Sequence, residues 1–401
     1  MKWSDKFATR MARMQASEIR ELLKLLDQPD IISFAGGIPD PELFPVDEIA
    51  RASAAILGNP ARAAAALQYS VSEGYLPLRQ WIASRMEKHG MACAPENVMI
   101  TNGSQQGLDF LGKLFLSPGD TVMAANPTYL GALQAFNAYE PVYAALPEPG
   151  VAPAAGEGVA PKLAYVMPEF QNPTGTTMTR AERLDMLALA HRLDMPVIED
   201  NAYETLRYGG DNLPPLIALD AQAAGGIDRG RVIYCGTFSK SIAPALRIGW
   251  IVAPRAVIEK LVLIKQASDL HVSTFNQMLM YDVASRIIDA HAQKTREVYA
   301  ARRDAMLDAL AAHMPAGVTW TKPEGGMFVW ATLPAFIDAA ALLKAAIEQA
   351  RIAFVPGGAF HIDGAGRHTL RLSFSLNEPA RIREGIERLA RLIEGFLRKQ
   401  E

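Results

Sequence analysis

Residues 231–250 read RVIYCGTFSKSIAPALRIGW. The opening run, RVIYCG, is apolar and rich in β-branched and aromatic residues, the composition of a buried strand. It ends abruptly in a lysine, Lys240, set among the hydroxyls of Thr237, Ser239 and Ser241, and Arg247 follows seven positions later. Lysine normally keeps its ammonium in water. A lysine at the end of a core strand, ringed by hydrogen-bonding groups, therefore asks for a chemical reason.

Working outward, the run is one of a series. NVMIT (97–101), TVMAAN (121–126), KLAYVM (162–167), MPVIED (195–200) and RIGWIVA (247–253) are further candidate strands. Amphipathic stretches such as QQGLDFLGKLF and RAERLDMLALAHRLD separate several of them, the latter after Thr179, a residue suited to cap a helix. Strands alternating with helices predict a mostly parallel α/β sheet covered on both faces. From about residue 255 the chain turns helical, and HAQKTREVYAARRDAMLDALAAH (291–313) reads as one long helix. EGGMFVWATL, IAFVPGGAF and TLRLSFSL then read as strands of a smaller α+β domain. The Gly/Ala/Pro-rich tracts 147–161 and 221–230 read as surface loops.

The 401 residues, half of them hydrophobic, suffice for two domains, and the net charge of −3 argues against nucleic acid or an anionic membrane as partner. The two cysteines, Cys93 and Cys235, form neither a disulfide framework nor a zinc pattern, and the seven histidines are scattered. No segment has the length of a membrane span and the N-terminus has no signal-peptide core, so the expected compartment is the cytoplasm.

In an open α/β sheet, ligands bind beyond the carboxyl ends of the strands. After NVMIT comes NGSQQG, a small-residue turn that opens a helix, an anion site suited to phosphate at Ser104 and Gln105. After TVMAAN comes Tyr129; after KLAYVM, Asn172 in QNPTG. MPVIED ends in Asp200, with Tyr203 three residues on, and the next strand leads to Lys240. Each residue alone has a structural explanation as a cap, turn or packing group; their convergence on one sheet edge does not. The ligand that needs a phosphate site, a stacking ring, a carboxylate, a phenol and an amine together is pyridoxal 5′-phosphate. Lys240 would capture its aldehyde, with a pKa depressed by burial and by Arg247. Arg247, Ser104, Gln105, Thr237 and Ser239 would hold the phosphate. Asp200 would pair with the pyridine nitrogen, Tyr203 and Asn172 would contact the ring oxygen, and Tyr129 would stack on the ring.

These residues sit in segments that resemble the fold-type-I, class I/II aminotransferases, above all the branch that holds 2-aminoadipate and kynurenine aminotransferases. The likeness runs through ASEIRELLKLL, ISFAGGIPDPELFP, LQYSVSEGYLPLR, TNGSQQGLDFLGK, NPTYLGALQAF, FQNPTG, VIEDNAYE, GTFSK with ALRIGW, KPEGGMFVW, FVPGGAF and TLRLSFS. The resemblance implies a seven-stranded, mostly parallel sheet flanked by helices in a large domain (46–290), a small α+β domain (291–401), and an N-terminal arm with part of the small domain (1–45). It implies that Arg371 binds the substrate α-carboxylate, that the loop around Gly37 contacts the same group, and that Arg20 meets the substrate side chain. It also implies that Tyr69 reaches the phosphate of a neighbouring subunit, hence a homodimer with shared sites. The activity it implies is ping-pong transfer of an amino group from an L-amino acid of 2-aminoadipate, aromatic or branched-chain type to 2-oxoglutarate. Two other functions share this domain. One is a cysteine-conjugate β-lyase; the other is a non-enzymatic regulator, for which the roughly 30 residues before ISFAGG leave no room for a DNA-reading head.

Overall fold

The computed structural model describes residues 1–14, 30–147 and 160–398. Its central sheet has seven strands: β1 (Val98–Thr101), β2 (Thr121–Ala124), β3 (Val142–Ala145), β4 (Leu163–Val166), β5 (Val197–Asp200), β6 (Val232–Thr237) and β7 (Gly249–Val252). Their spatial order is β1-β7-β6-β5-β4-β2-β3. Only β7 runs against its neighbours, pairing antiparallel with both β6 and β1. The other pairings are parallel.

Six of the seven strands coincide with the apolar runs read from sequence. The seventh, β3, is an edge strand whose first and last residues are exposed. An edge strand need not be apolar on both faces, so PVYAAL lacks the continuous run that marks its neighbours. Residues 221–230 depart from expectation as well: α3 (Leu216–Ala224) runs four residues into this tract before Gly225 ends it in the left-handed conformation. Most of the 147–161 tract lies outside the described residues.

Helices cover both faces. Thr179 caps α2 (Arg180–Arg192) in a reciprocal capping box with Glu182. On one face α1 (Ser104–Phe115) and α4 (Arg255–Ser268) bury Leu108, Leu111 and Leu261 against Ile198, Ile233 and Cys235. On the other, α2 and α3 bury Leu187 and Ile217 against Val197 and Val232. The alternation of strand side chains between faces divides these residues between two cores.

α5 (Thr274–His313) is continuous for 40 residues, so it begins well before the charged segment at 291 and passes through residue 290 without interruption. Its first half packs in the second core and its last turns in the first. There it meets the smaller unit: α6 (Pro379–Arg398) and an antiparallel sheet of β8 (Thr319–Trp320), β9 (Phe328–Thr332), β10 (Val355–Pro356) and β11 (Thr369–Ser373), in the order β10-β11-β9-β8. The N-terminal segment joins this unit through a parallel pairing of Ile32–Ser33 with Ile352–Ala353.

Candidate active site

The parallel strands β2, β4, β5 and β6 end on one edge of the large sheet. Because β7 is antiparallel, its first residues lie on that same edge, which brings Arg247 beside the end of β6. Between this edge and the small sheet lies a cavity of about 250 Å³. It is lined by Lys240, Asp200, Tyr203, Thr237, Ser239 and Arg247, by Ser104, Gln105, Tyr129 and Asn172, and from the smaller unit by Arg371 and the Gly37 loop. The residues singled out from sequence are thus brought together, with two exceptions. Tyr69 lies outside the cavity, 78% exposed, with its ring edge-on to His271. Arg20 lies outside the described residues.

The amine of Lys240 points into the cavity and donates to the Gly37 carbonyl (2.8 Å). Burial, with Arg371 and Arg247 near, lowers its pKa from 10.5 to about 8. Asp200 is buried at the end of β5. Its Oδ2 accepts from the Tyr165 hydroxyl (2.8 Å), while Oδ1 has no partner among the described residues. Burial raises its pKa to about 6, and the Tyr165 hydrogen bond opposes that rise. Tyr165 is a residue the sequence reading passes over: it lies mid-strand in KLAYVM, where a ring reads as core.

The anion site is built as the sequence suggests, with one refinement. Gly103 precedes α1 at φ 76° and supplies no side-chain cap, so the first N–H groups of α1 keep no intrahelical partner. A Cβ on Gly103 would fall 2.3 Å from Arg247 Nη2, so glycine is needed for the guanidinium to lie there. Arg247 itself adopts the left-handed conformation at φ 55° and forms no ion pair among the described residues. The side-chain amide of Gln105 donates to the Gly131 carbonyl (2.7 Å), which leaves the backbone N–H as its donor toward an anion. Thr237 and Ser239 share a hydrogen bond (2.9 Å).

Across the cavity, Arg371 is buried in β11. Its guanidinium donates to Asn172 Oδ1 (2.8 Å) and the Ala35 carbonyl (2.8 Å), and lies 4.3 Å from the Phe328 ring centre. Nε has no partner, and no carboxylate pairs with it among the described residues. Burial lowers its pKa to about 10. A buried cation without an anion is costly unless a ligand supplies one. Tyr203 lines the same cavity, buried and edge-on to Phe328.

Pyridoxal 5′-phosphate fits these groups. The orphaned Oδ1 of Asp200 awaits an N–H donor, the free amides beside Arg247 await an anion, and Lys240 lies between them with a depressed pKa.

Comparison with known proteins agrees. The sequence profile described as aminotransferase class I and II matches residues 29–147 and 157–389. The aromatic-amino-acid aminotransferase 1 of Thermococcus litoralis is 44% identical, over 98% of this chain and 95% of its own length. The 2-aminoadipate transaminase of Thermus thermophilus is 42% identical, over 99% and 98%. Among solved structures, the kynurenine aminotransferase of Pyrococcus horikoshii superposes with a TM-score of 0.91 at 42% identity, covering 99% of this chain and 98% of that one. The α-aminoadipate aminotransferase of Thermus thermophilus, solved with N-(5′-phosphopyridoxyl)-L-leucine, gives 0.90 at 41% identity over the whole of both chains.

Proposed function

The chain belongs to the class I and II aminotransferases and is a pyridoxal 5′-phosphate enzyme of fold type I; from that premise we propose which residues carry the transfer and which substrates they admit. When bound, the cofactor takes up the amino group and its ring draws electrons from the substrate Cα. The observation that carries the reading is the pair of buried, incompletely satisfied charges facing each other across the cavity, Asp200 and Arg371.

Arg371, steered by Asn172 and Ala35, holds the substrate α-carboxylate with its planar donors. Gly37 brings backbone alongside; a Cβ there would fall 2.5 Å from Phe328. Lys240 moves the proton at Cα, and burial with Arg371 and Arg247 near favours the neutral amine that a base requires. Asp200 keeps the ring nitrogen protonated: an N–H at Oδ1 would favour the carboxylate and reverse the rise that burial imposes. Arg247, Ser239, Thr237 and the amides of Ser104 and Gln105 fix the phosphate, while Tyr203 and Asn172 contact the ring oxygen and Tyr129 its face.

The amino donor is an extended or apolar L-amino acid, and 2-oxoglutarate is the acceptor. Relatives named for aromatic amino acids and for 2-aminoadipate, both above 40% identity, support a broad donor range. Spectrophotometric half-reactions test this. The holoenzyme is mixed with 2-aminoadipate, kynurenine, phenylalanine or leucine without acceptor, and 2-oxoglutarate is then added. Donor-dependent bleaching of the cofactor band, reversed by the 2-oxo acid, is expected; no bleaching with any donor would overturn the assignment.

The working unit is a homodimer in which Tyr69 completes the partner's phosphate site. Its 78% exposure, beside exposed Leu67, Val71, Leu76 and Leu270, leaves an apolar surface suited to a second copy. Mixing inactive Tyr69→Ala and Lys240→Ala chains, with exchange of subunits, should restore part of the activity, because one site per mixed dimer is intact. No recovery would place Tyr69 in its own chain's site or outside both. No helix among the described residues is long and apolar enough to cross a membrane. Both cysteines are free thiols, which suits the reducing cytoplasm we propose as the compartment.

A further inference from the structure

Lys265, on α4, is 0% exposed, a costly position for an ammonium. Nothing assigned above uses it. Its Nζ donates to Gln106 Oε1 (2.7 Å) and pairs with Asp269 (2.8 Å) one turn on. Gln106 Oε1 also accepts the backbone N–H of Asn102 (2.8 Å), and Gln106 Nε2 donates to Asp269 Oδ2 (2.8 Å). Both acceptor sites of the amide oxygen and one of its N–H groups are therefore committed, and its orientation follows from them.

Asn102–Gly103 is the turn that delivers the free amides of α1 to the cavity. A helix start is usually stabilised by a capping side chain that consumes one of those amides. Here Gly103 cannot cap, and the turn is held from outside the cradle, by Gln106 reaching back to Asn102. Lys265 in turn locks Gln106. The ion pair also has a direction: Lys265 is the buried end, against the Phe110 ring of α1 at 5.7 Å, while the Asp269 side chain is 34% exposed and screened by water. The positive end thus faces the helix whose N-terminus receives the anion.

We propose that Lys265 is a positioning residue for the phosphate cradle: acting through Gln106, it holds the Asn102–Gly103 turn so that the amides of α1 stay free for the phosphate. The proposal rests on the assignment of that cradle to Ser104, Gln105 and Arg247. An element that acts on the phosphate alone must leave binding of pyridoxal, which lacks the phosphate, untouched.

The experiment measures dissociation constants of the full-length chain, stripped of cofactor, for pyridoxal 5′-phosphate and for pyridoxal by absorbance titration. Lys265→Met should weaken the phosphorylated ligand by ~10-fold and pyridoxal by less than ~2-fold, the scale of one lost charge-assisted contact. Gln106→Leu, which leaves the Lys265–Asp269 pair intact, should give the same selective loss, and it decides the matter if Lys265→Met does not fold. In the double variant the losses should not add, because both act through one link. Equal losses for both ligands, or no loss, would overturn the proposal. Arg247→Ala separates the two levels. If it discriminates between the ligands and Lys265→Met does not, only the role of Lys265 fails; if it too fails to discriminate, the cradle assignment falls and takes this role with it.

Discussion

Two regions on opposite sides of the sheet bury the same kinds of charge and treat them differently. Beneath α2, Arg183 is 0% exposed and saturated: it donates to the carbonyls of Met178 (3.1 Å) and Pro214 (2.8 Å) and pairs with Glu169, which also pairs with Arg207. In the cavity, Arg371 is as deeply buried but pairs with no carboxylate among the described residues, where its Nε also lacks a partner. The carboxylates repeat the contrast at adjacent positions of β5. Glu199 accepts the first amides of α3, Leu216 and Ile217 (2.9 Å each), whereas Asp200 leaves Oδ1 open. A saturated buried charge serves the fold. An open one is held ready for a ligand, and the fold bears the desolvation cost until the ligand arrives.

The sharpest way to break this contrast is at Lys240, the open amine. Lys240→Ala should lower turnover by ~10³-fold or more, by loss of the base that moves the Cα proton, with an unchanged melting temperature. Retained turnover would remove the centre of the site. Neighbouring carboxylates come next. Asp200→Asn should cut kcat by ~10²–10³-fold while the fold keeps its stability. Glu199→Gln should do the reverse: kcat per folded molecule is kept, and stability falls by about 1–3 kcal/mol because one α3 amide loses its acceptor. Equal behaviour of the two in a paired activity and denaturation experiment would erase the distinction.

The arginines give a smaller effect on rate. Arg371→Leu should raise KM for the amino donor and lower kcat/KM by about 10²-fold, with stability held or increased. Arg183→Leu should instead cost about 1–3 kcal/mol, because Glu169 keeps only Arg207 as its partner and the buried carbonyls of Met178 and Pro214 lose their donor. Last is a pH effect on the cofactor-free chain, which leaves the rate aside. The folded pKa of Asp200, about 6, lies above its ordinary 3.8, so the folded state binds the extra proton. Stability on this account should decline as pH rises from about 4 to about 6 and stay flat beyond. Asp200→Asn should remove that decline; an unchanged profile in melting experiments across the window would refute the shift.

The strand ends announced most of this site because chemistry at a sheet edge interrupts apolar runs, and interruptions are visible. GTFSK after RVIYC and ED after MPVI stand out for that reason. What stayed hidden were polar atoms within apolar-looking runs: Tyr165 in KLAYVM and Lys265 in a helix whose other charges are solvated. Their partners, Asp200 and Gln106, are 35 and 159 residues away, a separation that no local pattern encodes. The edge strand β3 was silent because half-exposed backbone needs no hydrophobic signature. Gln105 was legible as a cradle residue, yet its side chain is occupied by Gly131, a contact created only by the packing of α1 against the following helix.

The uninterrupted course of α5 has a mechanical corollary. At 1.5 Å per residue its 40 residues make a rod about 60 Å long. In its second half, about 12 Å past the midpoint, Arg302 grips Asp40 (2.7 Å) and the Ser375 carbonyl (2.6 Å), and so the strap that carries Gly37 and the strand that carries Arg371. A bend of about five degrees at mid-length would carry Arg302 through roughly 1 Å, so the jaw bearing the carboxylate clamp could tighten while the sheet that bears Lys240 and Asp200 stays undeformed.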